Sequence, residues 1–414
     1  MKSNITAKKL FFFIWPFGSL VHSILTFNNK SSRTLIVWFF GFLGFTLVTT
    51  SEGFDIVSLR NSFIASSNLS YAGFWEFIKG YLYGEQTVDI VFQSISFFVS
   101  RFTTDYRIFF MILAVILGFF YVSSVYLVHK SIIRRRTLGV QIVFIFFLFV
   151  VPPYEINRFR FFSAALVYFY FIYDFIVNNN KQTGIFFKLL LAPLMHFSFL
   201  GPYILYLLYR LIGNKPLLFL ILFLLTFVYS NIVFEFLPNI SAIVGDAFQA
   251  RLKIYTSEIT LVQFSERIAD QSWYKKYYLI LPFYSLSLVL IYIYHTWLKT
   301  TRKKSQTITG LISFFFLVGS YVNLLQPLPE GWRFLNLYFL FGLATVIKAF
   351  TAEDLRFSRN KISILTIILF VPFLLFCLVK IRMSMDFIDS KVFFLNPVTV
   401  FFLDDPIPII DLFK

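Results

Sequence analysis

Long stretches of this chain contain no charged residue at all. Two shorter runs, Phe161–Tyr173 and Phe334–Ile347, have the same character and carry polar residues at their ends. Of the 414 residues 58% are hydrophobic and 14% are charged, which is more apolar surface than a soluble protein buries. The pattern predicts an all-α polytopic integral membrane protein. The longer runs approach the roughly 20 residues that a spanning helix needs; they are Thr34–Ser51, Ile108–Val128, Thr137–Tyr154, Leu217–Phe234, Tyr277–Leu298, Ser305–Pro329 and Ile362–Val379.

The predicted architecture has about 11 transmembrane helices, within a range of roughly 10 to 13. The run Leu189–Tyr209 is interrupted by Pro193 and by Gly201–Pro202, and interrupted helices occur at membrane depth where they line a cavity. We therefore expect a broken or re-entrant segment near 189–209, with its break close to Gly201–Pro202. Residues 1–414 are predicted to form a single integral membrane domain, which comprises a cytoplasmic or interfacial N-terminus (1–33), a multispanning core (34–381) and a C-terminal tail (382–414).

Basic residues outnumber acidic ones by 37 to 21 and cluster at the ends of the apolar runs, as in Arg134–Arg136 and Lys299–Lys304. This placement orients membrane helices, because Lys and Arg are retained on the cytoplasmic side. It argues against nucleic acid as a partner. Up to residue 198, an inside N-terminus places 11 Lys and Arg inside and six outside. Beyond residue 198 the two orientations place ten Lys and Arg on each side, and the dense basic cluster at 299–304 favours the orientation with that cluster inside. The loops 52–107 and 235–276 are then predicted on the outer face, which requires 189–209 to cross twice or to be re-entrant.

Several motifs of soluble enzymes are absent from the sequence. It has no glycine-rich phosphate loop, no Gly-x-Gly-x-x-Gly and no His-Glu-x-x-His. Its four histidines lack metal-ligand spacing, and the single cysteine, Cys377, can form no intramolecular disulfide. These absences exclude a soluble nucleotide-driven enzyme and an ATP-driven transporter acting alone. We expect no metal and no cofactor.

Two arginines and a glutamate lie where the chain re-enters the membrane after residue 154. An arginine at a helix centre costs roughly 2.5–3.5 kcal/mol, so Arg160 is expected at the interface or in a wet cavity. Its planar fork suits bidentate binding of phosphate; the alternative is an interfacial residue that extends towards the headgroups. Glu155, Asn157 and Arg158 immediately precede it and are further candidates for substrate contact.

His196 is the one histidine placed deep within an apolar run, since His22, His129 and His295 lie close to basic run ends. Imidazole is the commonest proton-transfer group near neutral pH, which makes His196 a candidate catalytic or substrate-contacting residue. A hydrogen-bonding residue between packed helices is the alternative interpretation.

Two further groups of polar residues flank predicted spans. A turn rich in proline leads into Glu330, Trp332 and Arg333. Arg333 either caps the following helix in the headgroup zone or makes a second phosphate or sugar contact, with Trp332 as a stacking surface. Asp55 lies in the outer loop after the first span, where residue type alone favours a solvated position.

The same residues resemble a known family, the Wzy/EpsG-type polysaccharide polymerases of bacteria. Ile156–Ala164 is similar to the family's Asn-x-x-Arg-aromatic-x-small-Ala start of a span, which aligns Asn157 and Arg160. Leu194–Phe199 resembles its apolar-His-Phe-Ser element, and Glu330–Phe334 resembles its C-terminal arginine at the start of a span. Asp55 falls where the family has an aspartate before a tyrosine, but this chain departs from that pattern after Asp55.

The resemblance implies a glycosyltransferase that polymerises polyprenyl-diphosphate-linked oligosaccharide repeat units. It implies the outer face of the bacterial cytoplasmic membrane as the place of reaction, and membrane lipid, a flippase and a chain-length regulator as further partners. Arg160 and Arg333 would then hold the diphosphate, and His196 would either accept a proton from the acceptor sugar hydroxyl or hold that hydroxyl by a hydrogen bond. A transporter or flippase of lipid-linked glycans and a ligase are the alternatives. A transporter would show internal repeats with matching broken helices.

Overall fold

The computed structural model describes residues 2–49, 55–83, 89–133, 136–178, 184–230, 266, 271–299, 305–328, 331–353, 355, 357–403 and 406–413. Apart from two isolated β-bridges, regular structure within these ranges is helical. The α-helices are α1 (Lys2–Ile14), α2 (Pro16–Leu25), α3 (Lys30–Phe45), α4 (Asp55–Ser66), α5 (Tyr71–Leu82), α6 (Ile90–Ser100), α7 (Tyr106–Ile132), α8 (Leu138–Val150), α9 (Phe159–Asn178), α10 (Gly184–Leu189), α11 (Leu191–Met195), α12 (Leu200–Ile212), α13 (Pro216–Val228), α14 (Trp273–Tyr277), α15 (Ile280–Leu298), α16 (Gln306–Leu325), α17 (Phe334–Thr351), α18 (Arg359–Phe387) and α19 (Pro397–Phe401). Short 3-10 helices lie at Pro153–Arg158, Phe197–Phe199, Gly331–Arg333, Ser390–Phe393 and Ile409–Phe413.

Six helical stretches of the described chain are long and apolar enough to cross a membrane, and shorter apolar helices accompany them. One of the six, Leu138–Asn178, contains α8, a 3-10 turn and α9, and so holds two predicted spans. The predicted total of about 11 also counts helices that are shorter than a full crossing, such as α3 with its 16 residues. The chain is an all-α, multi-pass membrane protein, which confirms the predicted fold class.

Helix α17 lies at the centre of the bundle. In the most apolar 18 residues of the stretch Gly331–Thr351, which contains α17, 94% of the residues are buried inside the protein. The corresponding share is 44% for the stretch that contains α18. Aromatic rings fill the space around it: Phe341 lies 5.0 Å from Phe169 of α9 and 4.9 Å from Phe314 of α16, measured between ring centroids. Because α17 is packed on all sides, the residues just before it are held by the rigid core.

The chain reverses direction at His196, so the predicted broken segment near 189–209 is confirmed. Helices α10 and α11 run antiparallel to α9, since Lys188 lies 6.0 Å from the ring of Phe171 and His196 contacts the ring of Phe161. Helix α12 then runs parallel to α9: the Tyr168 hydroxyl donates to the carbonyl of Pro202 at 2.6 Å.

The predicted position of the break was wrong. His196 has an extended backbone (φ −149°, ψ 115°), whereas Gly201 and Pro202 lie inside the first turn of α12. Proline is accepted there because the first turn of a helix has no intrahelical partner for its missing N–H. Gly201 serves close packing instead, since a Cβ at this position would lie 2.3 Å from the Tyr321 hydroxyl oxygen.

The two ends of the bundle can be assigned from contacts between helices. Phe161 and Phe334, at the starts of α9 and α17, lie together at one end. At the other end, Gly310 of α16 lies against Ile176 of α9 and Tyr209 of α12. Most of the predicted loop 235–276 and residues 300–304 of the basic cluster lie outside the described residues.

The two termini of the described chain meet. The hairpin of α1 and α2 packs beside α3, and the indole N–H of Trp15, at its tip, donates to the carbonyl of Phe393 at 2.7 Å. The C-terminal segment folds back on itself, because the Asp389 carboxylate accepts hydrogen bonds from the backbone N–H groups of Lys391 and Ile407. Burial raises the pKa of the Asp389 carboxyl above its ordinary value.

Candidate functional site

A cleft opens at the end of the bundle where α9 and α17 begin. The space between its walls is about 230 Å³, which includes the part open to solvent. Its walls come from α4, from the Pro153–Arg158 turn with the start of α9, from the break before α12, and from the turn before α17. Six of the nine residues that the sequence nominates as site residues meet here. The lining residues are Asp55, Leu59, Asn157, Arg158, Arg160, Phe161, His196 and Arg333.

Arg160 is held from one side by a buried carboxylate. Its Nη1 lies 3.1 Å from Oδ2 of Asp89, which is 2% exposed, while the Arg160 side chain is 31% exposed. The ring of Phe92, one turn into α6, lies 5.6 Å from the guanidinium carbon. The protein therefore fixes Nη1 of the planar fork, and the partly exposed Arg160 side chain lines the cleft.

Asp89 joins Arg160 to the break at His196. Its second carboxylate oxygen, Oδ1, accepts a hydrogen bond of 2.9 Å from the backbone N–H of Phe197, the residue that follows His196. The two oxygens of one buried carboxylate thus set the relative position of two cleft residues that are 36 positions apart in the chain. Sequence reasoning missed Asp89; its place immediately before the apolar helix α6 was the available signal.

The hydrogen bonds of His196 determine its tautomer. Nδ1 accepts from the backbone N–H of Ser198 at 3.3 Å and lies 2.7 Å from the Ser198 hydroxyl oxygen. A backbone N–H can only donate, so Nδ1 carries no hydrogen in the neutral ring, and the hydrogen is assigned to Nε2. Neutral His196 therefore carries its hydrogen on Nε2 and has no second nitrogen lone pair with which to accept a proton from a substrate.

Asp55 and Arg333 form the most open ion pair of the cleft. Arg333 Nη2 lies 3.5 Å from Asp55 Oδ2, and the Asp55 side chain is 44% exposed. Asp55 is the first residue of α4, where the helix dipole favours a negative charge. Among the described residues that line the cleft, Asp55 is the only carboxylate.

Glu155 lies behind the cleft and does not line it. Its side chain is fully buried, with Oε1 2.6 Å from Nζ of Lys380 on α18 and Oε2 4.0 Å from Nη1 of Arg158. Such a carboxylate needs its partners, since an unpaired buried charge costs several kcal/mol. This position favours a supporting role over the predicted substrate contact. Sequence reasoning also missed Lys380, whose signal was a charged residue inside the last long helix.

The remaining nominated residues have different positions. The Asn157 side-chain oxygen is buried and has no hydrogen-bond partner in the described part of the chain, so it is an available acceptor at the cleft wall. Trp332 is half-buried and packs against the apolar core, without lining the cleft. Glu330 lies outside the described residues.

The cleft is suited to binding an anion with several oxygens. Arg158, Arg160 and Arg333 line it together with His196 and Asn157, and guanidinium binds phosphate through paired charge-assisted hydrogen bonds. Across the described ranges, three or more His, Cys, Asp or Glu side chains do not cluster in a way that could hold a metal ion.

Comparison with known proteins found no match for this chain among family models, curated proteins or solved structures. The interpretation of the cleft therefore depends on its own chemistry.

Proposed function

We propose that the protein is a membrane glycosyltransferase that polymerises polyprenyl-diphosphate-linked oligosaccharide repeat units into a surface polysaccharide. The observation that carries the proposal is the convergence of Arg158, Arg160, Arg333 and His196, from three separate parts of the chain, on one cleft. The reaction would take place on the outer face of a bacterial cytoplasmic membrane, to which the positive-inside rule assigns the cleft.

The reaction needs no nucleotide, because the bond between sugar and diphosphate supplies the energy. An acceptor sugar hydroxyl attacks the anomeric carbon of the donor, and a carbon–oxygen bond forms there. The bond from that carbon to the diphosphate oxygen breaks, and its electron pair leaves with the polyprenyl diphosphate. The hydroxyl proton passes to a base. A site for this reaction must stabilise the negative charge that develops on the leaving diphosphate.

Arg160 and Arg333 would hold the diphosphate. Arg160 is the better placed of the two, since Asp89 fixes its orientation and leaves part of the fork to the cleft. Arg333 shares its charge with Asp55 across a longer contact. Arg158 adds positive charge to the same wall, while Asn157 offers an acceptor for a sugar hydroxyl.

Because of the tautomer of His196, Asp55 and not His196 is the proton acceptor in this proposal. Neutral His196 has its hydrogen on Nε2, so it would donate a hydrogen bond to a substrate oxygen. Asp55 is the carboxylate of the described cleft lining and is partly open to solvent. Its pairing with Arg333 would place the base beside the group that holds the diphosphate. No cofactor takes part in this scheme.

A transporter or flippase would use the same arginines for binding without chemistry. Such folds contain matching broken helices in two halves, whereas the described residues show one reversal of this kind, at His196. A ligase that transfers finished glycan differs from a polymerase in its acceptor. Both alternatives are separated from polymerisation by the product formed.

The test uses the full-length protein in lipid nanodiscs supplied with a polyprenyl-diphosphate-linked repeat unit. Nanodiscs have no enclosed compartment, so growth of glycan chains there reports chemistry and not transport. We expect the wild type to form polymer and Arg160→Lys to leave single repeat units, because Lys keeps the charge but loses the bidentate fork. Arg382→Lys, in an exposed ion pair of α18, is the matched control and should polymerise normally.

Two results would contradict the proposal. Wild-type protein that binds the lipid-linked unit yet forms no longer glycan in nanodiscs would favour the flippase. Normal polymer length from Arg160→Lys, at normal protein levels, would contradict the role of Arg160 on the diphosphate.

A further inference from the structure

Helix α5 has two chemically different sides. Apolar residues recur along it at a spacing of three or four and therefore share one side, whereas its two charged residues lie on the other. The apolar residues are Tyr71, Phe74, Trp75, Ile78 and Tyr81, and the charged residues are Glu76 and Lys79. A helix of this kind either buries its apolar side in the protein or lies in a membrane interface.

The protein covers the apolar side of α5 only in part. Phe74 is buried, and its ring stacks on Phe97 of α6 with the centroids 4.2 Å apart. Tyr71 and Trp75 lie on the same side of the helix, yet each is 61% exposed. Packing on α6 therefore leaves two large aromatic side chains of α5 uncovered.

The uncovered surface continues onto the end of α6. Phe98 is 53% exposed, and its ring lies 5.6 Å from that of Phe74. Phe102, four residues further on, is 90% exposed. We call Tyr71, Trp75, Phe98 and Phe102 the outer aromatic patch. Exposed apolar patches of this kind mark sites of contact with another protein or with a membrane.

Arg101 joins the outer aromatic patch to the elements that form the cleft. Its Nη2 donates hydrogen bonds to the carbonyls of Ser66 and Leu69, where α4 ends, and its guanidinium carbon lies 4.5 Å from the centroid of Phe97. Helix α4 begins at the cleft, and α6 begins directly after Asp89, which holds Arg160. The patch and the cleft are therefore carried by the same two helices.

Helix α7 determines the depth of the patch in the membrane. With 27 residues it is about 40 Å long, whereas the hydrocarbon core of a bilayer is about 30 Å thick. Its ends therefore reach the headgroup regions, and it begins at Tyr106, four residues after Phe102. The patch thus lies at the level of the outer headgroups, where Trp and Tyr are enriched in membrane proteins. Helix α7 also exposes Val115 and Phe119 within its span, so it borders lipid.

We propose that the outer aromatic patch inserts into the headgroup region of the outer leaflet, so that α5 lies as an amphipathic helix on the membrane surface. Tyr71 and Trp75 contact the first carbons of the lipid chains, and Glu76 points towards water. The contact would hold α4 and α6, and with them the cleft, at a fixed height above the hydrocarbon core. It does not depend on the proposed polymerase activity.

Spin labels on single cysteines test the depth of the patch. The full-length protein with Cys377→Ala is placed in lipid nanodiscs, and labels are attached to Trp75→Cys, Phe102→Cys or Glu76→Cys. Collision with oxygen, which dissolves in hydrocarbon, is compared with collision with a nickel chelate, which remains in water. We expect the ratio of oxygen to chelate collisions to be several-fold higher at positions 75 and 102 than at position 76.

Glu76→Cys is the matched control, because Glu76 is an exposed neighbour of Trp75 on the charged side of the same helix. Equal access of the chelate to positions 75 and 76 would overturn the proposal and leave the patch in water, open to a glycan or a soluble protein. Exclusion of both oxygen and chelate from position 75 would also overturn it, since another protein chain would then cover the patch.

A second measurement needs no label. Trp75 is one of six tryptophans, and lipids brominated near the headgroup quench the fluorescence of an indole that lies among them. We expect these lipids to remove less emission from Trp75→Phe than from the wild type, because Trp75 no longer contributes. Equal removal of emission from both proteins would contradict insertion of the patch.

Discussion

Every arginine of the cleft is paired with a carboxylate, and the three pairs differ in how tightly they are held. Arg160 pairs with the buried Asp89 at 3.1 Å, Arg333 pairs with the exposed Asp55 at 3.5 Å, and Arg158 lies 4.0 Å from Glu155. A buried partner orients a guanidinium before a substrate arrives, which lowers the cost of ordering it on binding. Asp55 is the partner most accessible to a substrate.

Substitutions at His196 distinguish a donor from a base. Gln keeps an amide N–H near the position of Nε2, so His196→Gln should retain much of the polymerisation rate. His196→Ala should lose roughly 10- to 100-fold, the order of a hydrogen bond to a charged group. The rate of repeat-unit consumption in nanodiscs measures both. Equal and severe losses in Gln and Ala variants would restore His196 as the base.

Asp89 should act through Arg160. Asp89→Asn keeps an acceptor for the Phe197 N–H but removes the charge beside Arg160, so the rate should fall roughly tenfold with the fold intact. Asp89→Ala should also lower the unfolding free energy by about 1–3 kcal/mol, because it removes the acceptor of the half-buried Phe197 N–H. In an Arg160→Lys background, Asp89→Asn should have little further effect on the residual rate of repeat-unit consumption. Fully additive effects would contradict the coupling.

The buried pair of Glu155 and Lys380 should matter for stability more than for chemistry. Lys380→Met leaves a buried carboxylate without its close partner and should cost about 3–5 kcal/mol of unfolding free energy. Glu155→Leu combined with Lys380→Met should recover most of that loss, since an apolar replacement of the whole pair is close to neutral. Unfolding in mixed micelles measures both variants. A double variant as unstable as the single one would contradict this account.

At the scale of elements, the cleft is built from helix starts and tight turns. The 3-10 turns Pro153–Arg158, Phe197–Phe199 and Gly331–Arg333 each precede an α-helix of the bundle and each lies beside the cleft. A 3-10 helix has fewer residues per turn than an α-helix and usually occurs only in short segments. It therefore places a polar side chain at the edge of a rigid helix without extending that helix.

The turn before α17 depends on Gly331. A Cβ at this position would lie 1.7 Å from the backbone carbonyl oxygen of Leu325, so Gly331→Ala must move the turn and with it Arg333. We expect a loss of roughly 10- to 100-fold in polymerisation rate, the cost of a displacement of about 1 Å at a reacting site. Gly184→Ala is the control, because nothing lies within 4 Å of its added Cβ. Equal rates in both variants would contradict the argument.

At the scale of the whole molecule, the reversal at His196 decides which loops share a face. Helix α13 runs parallel to α16, since the Asn323 side chain near the end of α16 donates to the carbonyl of Phe223. The described residues that flank the 235–276 loop therefore lie at the cleft end, and Lys299 lies at the opposite end. This agrees with the sidedness that the distribution of Lys and Arg predicts.

Cysteine labelling in intact cells tests this topology. The buried Cys377 is first replaced by Ala to give a background without thiols. Trp273→Cys and Lys299→Cys then place single thiols at opposite ends of the stretch that contains α14 and α15. An impermeant reagent should label Trp273→Cys only, and permeabilisation should expose Lys299→Cys. Labelling of Lys299→Cys in intact cells would invert the assignment of both ends.

The sequence by itself determined the class of fold and most of the cleft residues. Uncharged runs can be recognised as membrane spans without a structure, because a span must be long and apolar. Arg160, Arg333 and His196 stood out because charged and titratable groups at membrane depth are costly and need a reason. A broken segment was predictable from Pro193, Gly201 and Pro202, although its position was not.

Only the tertiary structure decided how these residues are paired. Asp89 and Lys380 are distant in sequence from Arg160 and Glu155, and an ion pair depends on where helices pack and not on chain spacing. The tautomer of His196 likewise follows from one local hydrogen bond that exists because the backbone is extended there. Packing around the central α17 brings the starts of α9, α12 and α17 together, and that placement turns scattered polar residues into one cleft.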